Sequence, residues 1–223
     1  MKTSGNKSLG QSILWVGGYF CIMLIYTGIN MGVWRKISNS YSSWLNLLTM
    51  AFLSIVFIRL LTKKTSYRLR IFDNFTTRGI LYAIMCAVLF YFLLDKCLDP
   101  FFESLFPTSE EAYRGSILTL SKSPVTTFIH VCILAPVIEE ILMRGFVLGS
   151  LRSTFGVAFA LLVSSFLFAL LHFNMVQTLS AFICGLILGV LYLKTGSILC
   201  CMIAHCGYNA ISYFMIIAPL IGK

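Results

Sequence analysis

Apolar residues occur along this chain in long runs, which short polar or basic segments separate. A helix that crosses a bilayer needs about 20 predominantly apolar residues. Seven runs come close to this length and predict transmembrane helices at 12–34, 43–62, 78–95, 124–149, 156–173, 176–193 and 197–218. The predicted fold class is therefore all-α: a polytopic transmembrane helix bundle of about seven spans, forming a single integral membrane domain over residues 1–223.

Composition agrees with this interpretation. Of the 223 residues, 58% are hydrophobic and only 11% are charged, whereas soluble domains carry about 25% charged residues. The formal net charge of +9 does not indicate nucleic-acid binding, because the cations lie in short loops between the runs. The eight cysteines fall almost entirely within the runs, which favours packing over a disulfide framework. The first run is too long for a signal peptide and predicts an uncleaved span.

The distribution of basic residues predicts the orientation of the chain in the cell membrane. The second loop is the most basic, with Lys63, Lys64, Arg68 and Arg70, and basic loops stay in the cytoplasm. Alternation then places the N-terminus inside and the acidic third loop, 96–122, outside. Within that loop, segment 98–106 is amphipathic and is expected to lie at the interface. The basic residues of the second loop are interpreted as the signal that sets the orientation of the chain. The alternative is that they form a binding site for a specific lipid.

The fourth run contains charged residues at its centre. Glu139 and Glu140 are adjacent, and Arg144 follows, although one charge at mid-bilayer costs about 3 kcal/mol. Helix residues four apart share a face, so Glu140 and Arg144 are predicted to form an ion pair. Glu139 points elsewhere and has no local cation, which makes it a candidate general base. In the alternative, both glutamates are structural and bind polar groups of other helices.

Two further polar sites follow in later runs. His172 comes four residues after Phe168, and His205 and Asn209 share one helix face, where both side chains can donate toward an oxyanion. Each site alone is equally consistent with hydrogen bonds between helices. Their coincidence with the glutamates predicts one polar cavity between the fourth, fifth and seventh spans. His130 lies upstream and is interpreted as a packing or helix-end residue.

Depth along the helices complicates this prediction. With a rise of about 1.5 Å per residue, His205 lies roughly 12 Å from the cytoplasmic end of its span. His172 lies near the outer end of the fifth span and Glu139 near the middle of the fourth. The three side chains can therefore meet only if the helices are tilted or staggered.

These motifs, with the segment GLILGVLYLKTGSI at 185–198, resemble the CPBP intramembrane proteases. That family comprises the type II CAAX prenyl endopeptidases and the bacterial Abi, or bacteriocin-processing, proteins. The resemblance covers roughly residues 120–215 and implies a catalytic core at 121–218, with residues 1–120 as support helices. It implies a catalytic set and a supporting pair: Glu139 with His172 to activate water, His205 and Asn209 to stabilise the oxyanion, and Glu140 with Arg144 in support.

The resemblance further implies hydrolysis without a cofactor, driven by the glutamate. Zinc held by Glu139, His172 and His205 is the alternative. The predicted function is an intramembrane endopeptidase acting on a membrane-associated peptide or protein, such as a bacteriocin, pheromone or leader peptide, or in self-immunity. The lipid bilayer is the predicted environment, and no nucleic acid is expected as a partner. A non-catalytic membrane scaffold or immunity protein, with the same cluster as a structural network, is the alternative.

Overall fold

A computed structural model describes residues 2–37, 39–109, 111, 115, 118, 122–172, 174–217 and 219, and no β-strand occurs among them. In chain order the helices are α1 (Lys2–Gly32), α2 (Asn39–Lys64), α3 (Thr77–Phe90), α4 (Asp99–Leu105), α5 (Pro124–Phe128), α6 (Ala135–Glu140), α7 (Gly149–Phe155), α8 (Val157–Ala169), α9 (Met175–Thr195) and α10 (Ile198–Ser212). A 3₁₀ turn, Trp34–Lys36, follows α1. π-Helical stretches extend or join the others at Tyr91–Leu98, Ile129–Leu134, Ile141–Leu148 and Tyr213–Ile217.

Each of the seven predicted spans coincides with a helix, so the all-α polytopic bundle is confirmed. Among the described residues, five helical segments are long and apolar enough to cross a membrane: Ser8–Lys36, Tyr41–Lys64, Thr77–Leu105, Met175–Thr195 and Ile198–Met215. The predicted fifth span corresponds to α8, a shorter apolar helix. The predicted fourth span is one continuous helical run over 124–155, here called the glutamate helix.

The third span extends further than the sequence predicted. The prediction ended it at residue 95 and began a loop at residue 96, whereas the helix runs without interruption from Thr77 to Leu105. The prediction of a loop from residue 96 was therefore wrong, because residues 98–105 are the last part of this helix. Pro100 does not end the helix, because the π-helical stretch Tyr91–Leu98 comes just before it and its wider turn relieves the crowding that a proline causes in a helix interior. The extension brings Asp99 into the bundle.

The tight connections between the later helices follow from local signals. Gly196 ends α9 in the left-handed conformation, with φ of 66°, which glycine adopts without strain. Ser197 then caps α10 by accepting a hydrogen bond from the Cys200 N–H. Asn174 caps α9 in the same way, and its amide donates to the Ser109 carbonyl at 2.6 Å. Asn174 therefore caps α9 and also ties its start to the segment before the glutamate helix.

The glutamate helix contains a proline, Pro136, in its interior. A proline there removes one backbone hydrogen bond and crowds the preceding turn. The π-helical stretch Ile129–Leu134 precedes it directly, and the wider turn relieves this crowding. A second π-helical stretch, Ile141–Leu148, follows the two glutamates and is buried at almost every residue. The helix therefore lies in the core, where the Ser164 hydroxyl of α8 donates to its Met143 carbonyl at 3.0 Å.

Gly185 allows α9 to approach α8 closely. A Cβ atom at this position would lie 3.1 Å from both Cα and Cβ of Ser165 and 3.3 Å from the Phe168 ring. Small residues at such crossings let two helix backbones come together. Gly185 and Gly189 thus allow α9 to pack closely against α8.

We expect Gly185→Val to lower the free energy of unfolding by about 1–3 kcal/mol, the usual cost of overpacking a tight contact. Thermal unfolding of the purified protein in detergent measures this. Gly28→Val is the matched control, because nothing lies within 4 Å of a Cβ atom at Gly28. Equal melting temperatures for the two variants would contradict the close crossing.

Candidate active site

A buried ion pair lies at the centre of the site. Glu140 is fully buried and Arg144 is 1% exposed. The guanidinium donates to Glu140 Oε1 at 2.9 Å and to the Gly185 carbonyl of α9 at 3.0 Å. It also lies 4.8 Å from the ring centroid of Phe168, within the range of a cation–π contact. The structure therefore contains the contact between Glu140 and Arg144 that the four-residue spacing predicted.

His205 connects the two glutamates. Its Nδ1 lies 2.9 Å from Glu140 Oε1, and its Nε2 lies 3.9 Å from Glu139 Oε2. An ionised carboxylate only accepts hydrogen bonds, so the Nδ1 carries a proton and donates it to Glu140. Nε2 is then the nitrogen that faces Glu139. The sequence predicted Glu140 and His205 as site residues. It did not predict the hydrogen bond between them.

Glu139 differs from its neighbour in its exposure. Its side chain is 15% exposed, against 0% for Glu140. Glu139 lines a cavity of about 290 Å³ inside the bundle, together with His172, His205 and Asn209. The four residues that the sequence singled out are thus brought to one cavity, although they come from three separate parts of the chain. Glu140 and Arg144 do not line it and lie behind its wall.

His172 lies just beyond the C-terminal end of α8. Its Nδ1 is 3.2 Å from the Phe168 carbonyl, so that nitrogen donates and Nε2 remains for other partners. The imidazole packs edge-on against the Phe168 ring at 5.1 Å between centroids. The Thr178 hydroxyl of α9 donates to the His172 carbonyl at 2.6 Å. These contacts hold both the backbone and the imidazole ring of His172 in place just after the C-terminal end of α8.

Asn209 satisfies a carbonyl that the glutamate helix cannot satisfy itself. The Ala135 N–H bonds to the His130 carbonyl, five residues earlier. In the same register the Val131 carbonyl would pair with residue 136, which is a proline and has no N–H. The Asn209 amide donates to that carbonyl at 2.8 Å. One N–H of the amide remains for the cavity.

The opposite wall of the cavity contains polar residues that the sequence analysis missed. Asp99 lines the cavity and accepts a hydrogen bond from the Ser180 hydroxyl. Nearby, Asp95 accepts from the Tyr208 hydroxyl at 2.7 Å and from Ser212. The sequence contained two indications of this polar cluster. Asp95 and Asp99 lie four residues apart, and so do Tyr208 and Ser212. Residues 1–120 thus supply part of the cavity wall as well as packing.

The alternative zinc set finds no support in the geometry. Within the described part of the chain, no group of three or more His, Cys, Asp or Glu side chains is arranged to hold a metal ion. Zinc bound by Glu139, His172 and His205 nevertheless stays the alternative, because a histidine that donates one ring nitrogen to a carboxylate can bind a metal through the other. His130, which the sequence assigned to packing, lies against the ring of Tyr26 at 5.6 Å.

We expect Arg144→Ala to lower the folded yield strongly, because removing one partner leaves the Glu140 carboxylate buried and uncompensated, at a cost of about 3–5 kcal/mol. Size-exclusion chromatography of the detergent-extracted protein measures the yield. Arg152→Ala is the control, since Arg152 is exposed on the same helical run. A normal yield of Arg144→Ala would mean that the pair does not hold the structure together.

A known protein family matches the segment of the chain that contains these site residues. Residues 121–211 match the family described as Type II CAAX prenyl endopeptidase Rce1-like. The matched segment contains all six residues of the predicted catalytic and supporting sets. No curated protein and no solved structure matches the chain. The resemblance predicted from the motifs is confirmed, because this match to a protease family is consistent with the CPBP family.

Proposed function

We propose that this chain is an intramembrane endopeptidase that hydrolyses a peptide bond of a membrane-associated peptide or protein, with Glu139 as the general base. One observation carries the proposal: Glu139, His172, His205 and Asn209, from separate parts of the sequence, line one cavity inside an apolar bundle. An ionisable residue inside a membrane protein is expensive and marks a functional site. The protease family that matches the same segment supports this conclusion.

In the proposed reaction, Glu139 takes a proton from a water molecule as the water oxygen attacks the carbonyl carbon of the peptide bond. Glu139 later returns the proton to the departing amine, as general acid–base catalysis requires. Glu139 suits this role because it faces the cavity, while Glu140 is occupied by Arg144 and His205. His172 assists in orienting the water through its Nε2.

The negative charge that develops on the carbonyl oxygen during this attack needs hydrogen-bond donors. Asn209 offers the amide N–H that the Val131 carbonyl does not use. His205 donates its Nδ1 proton to Glu140, so it can donate to an oxyanion only through a protonated Nε2. The proposed role of His205 therefore requires the imidazolium, whose positive charge would lie between the carboxylates of Glu139 and Glu140.

The proposed substrate is a peptide or protein tail associated with the bilayer. The cavity is enclosed by helices whose outer faces are apolar, and large side chains such as Leu14, Phe52 and Phe92 are more than half exposed. A substrate held at the membrane reaches such a site by lateral diffusion. A bacteriocin, pheromone or leader peptide is the proposed class for a bacterial protein, where prenylated tails are not expected.

We expect Glu139→Gln to reduce cleavage by at least about 100-fold, the lower range for acid–base catalysis, while the protein still folds, because a neutral amide is easier to bury than a carboxylate. The assay uses the protein in lipid vesicles with a panel of leader-like amphipathic peptides and prenylated CAAX peptides. Mass spectrometry identifies the products. Glu111→Gln is the control, since Glu111 is exposed and lies outside the cavity.

Two outcomes would contradict the proposal. Full retention of cleavage by Glu139→Gln would remove Glu139 as the base. A wild-type protein that cleaves no peptide, together with a Glu139→Gln variant that keeps the biological effect, would favour the non-catalytic scaffold.

We expect chelation to leave cleavage unchanged, since the proposed base is a carboxylate and needs no metal to activate water. The measurement is the cleavage rate before and after treatment with a strong chelator, followed by added zinc. Loss of activity on chelation and recovery with zinc would instead support a metal-activated water. This test is independent of the Glu139 variant.

A further inference from the structure

A second and larger pocket, of about 780 Å³, lies at one end of the bundle, away from the cavity. The C-terminal end of α2 and the following segment, Lys63 to Arg70, form one side of it. The glutamate helix forms the other side with Gly145, Phe146, Gly149 and Ser150, and Gln11 of α1 completes it. We call this the basic pocket.

The basic pocket lies where membrane spans end. One candidate span finishes at Lys64, and another begins at Ser8, three residues before Gln11. The ends of spans lie at the headgroup region, which flanks a hydrocarbon core about 30 Å thick. A ligand in this pocket would therefore be at the depth of lipid phosphates.

The charge of the pocket is one-sided. Lys63, Lys64, Arg68 and Arg70 line it, and no carboxylate does. Among the described residues, one ion pair involves these cations, an exposed contact between Arg70 and Asp73 at 3.5 Å. Three cations thus face the pocket without a carboxylate partner in the described part of the chain, which favours an anionic ligand.

The remaining lining suits a phosphate with an organic part attached. The hydroxyls of Ser66 and Ser150 add hydrogen-bond donors, and phosphate oxygens accept such bonds, whereas the Thr65 hydroxyl already donates to the Leu61 carbonyl. The rings of Tyr67 and Phe146 pack edge to face at 5.8 Å between centroids and give one wall an apolar surface. Gly145 admits the Tyr67 side chain, whose hydroxyl would collide with a Cβ atom at that position.

We propose that the basic pocket binds the phosphate-bearing headgroup of an anionic membrane lipid. A topology signal needs only positive charge in a loop. It does not require the loop to fold back onto the glutamate helix and enclose a concave surface with hydroxyl groups and aromatic rings. The site is separate from the cavity, and its occupancy does not depend on proteolysis.

The experiment titrates the protein in phosphatidylcholine nanodiscs with short-chain phosphatidylglycerol and follows the bound lipid by native mass spectrometry. Short-chain phosphatidylcholine and inorganic phosphate are titrated in parallel. We expect saturable binding of phosphatidylglycerol alone. Because a basic residue contributes about fivefold to anionic lipid binding, Lys64→Gln with Arg68→Gln should weaken it roughly 20-fold. Both side chains are exposed, so the fold should be retained.

The matched control removes the same charge elsewhere. Arg35→Gln with Lys36→Gln alters an exposed basic pair at the other end of the first span and should leave binding unchanged. Equal weakening by both double variants would mean attraction to charge in general, and equal binding of the two lipids would mean that the pocket does not select the anionic headgroup. Either result would overturn the proposal. Binding of inorganic phosphate with the same affinity and the same loss in the variants would make free phosphate the ligand. An acidic peptide that binds when phosphatidylglycerol does not would assign the pocket to a protein partner.

Discussion

The guanidinium of Arg144 is the group on which the arrangement of the later helices depends. A buried charge is tolerated only when it is paired and hydrogen-bonded, and each contact that satisfies Arg144 lies on a different element. Glu140 neutralises it from the same helix, the Gly185 carbonyl binds it from α9, and the Phe168 ring covers it from α8. Glu140 in turn holds His205 of α10. One cation therefore sets the positions of four helices around the cavity.

This network also explains why adjacent glutamates behave differently. Glu140 is committed to Arg144 and His205 and is closed to solvent, whereas Glu139 opens onto the cavity. The roughly 100° turn between successive helix residues separates the two directions. The chain thus places a compensated carboxylate and a cavity-facing carboxylate on consecutive residues. Only the second remains free to exchange a proton with a bound molecule.

Much of the fold and the location of the candidate site could be predicted from the sequence, because both follow from local patterns. Apolar runs of membrane length predict helices, and a four-residue spacing predicts that Glu140 meets Arg144. Contacts between distant residues have no such signal. Nothing local indicates that His205 binds Glu140, or that Asp99 reaches the cavity. The end of the third span was missed for a related reason, since a proline usually ends a helix, whereas the π-helical stretch Tyr91–Leu98 carries this helix past Pro100.

Pro136 has a consequence for how the protein is assembled. The glutamate helix is made with one carbonyl, that of Val131, that its own backbone leaves unpaired, and with a carboxylate that Arg144 only partly satisfies. In a bilayer such groups have no water to bind. Their partners, Asn209 and His205, arrive 78 and 65 residues later in the chain. The glutamate helix therefore gains these two hydrogen bonds only when α10 has been synthesised and inserted, so that the cavity and the helix that closes it form in the same step of biogenesis.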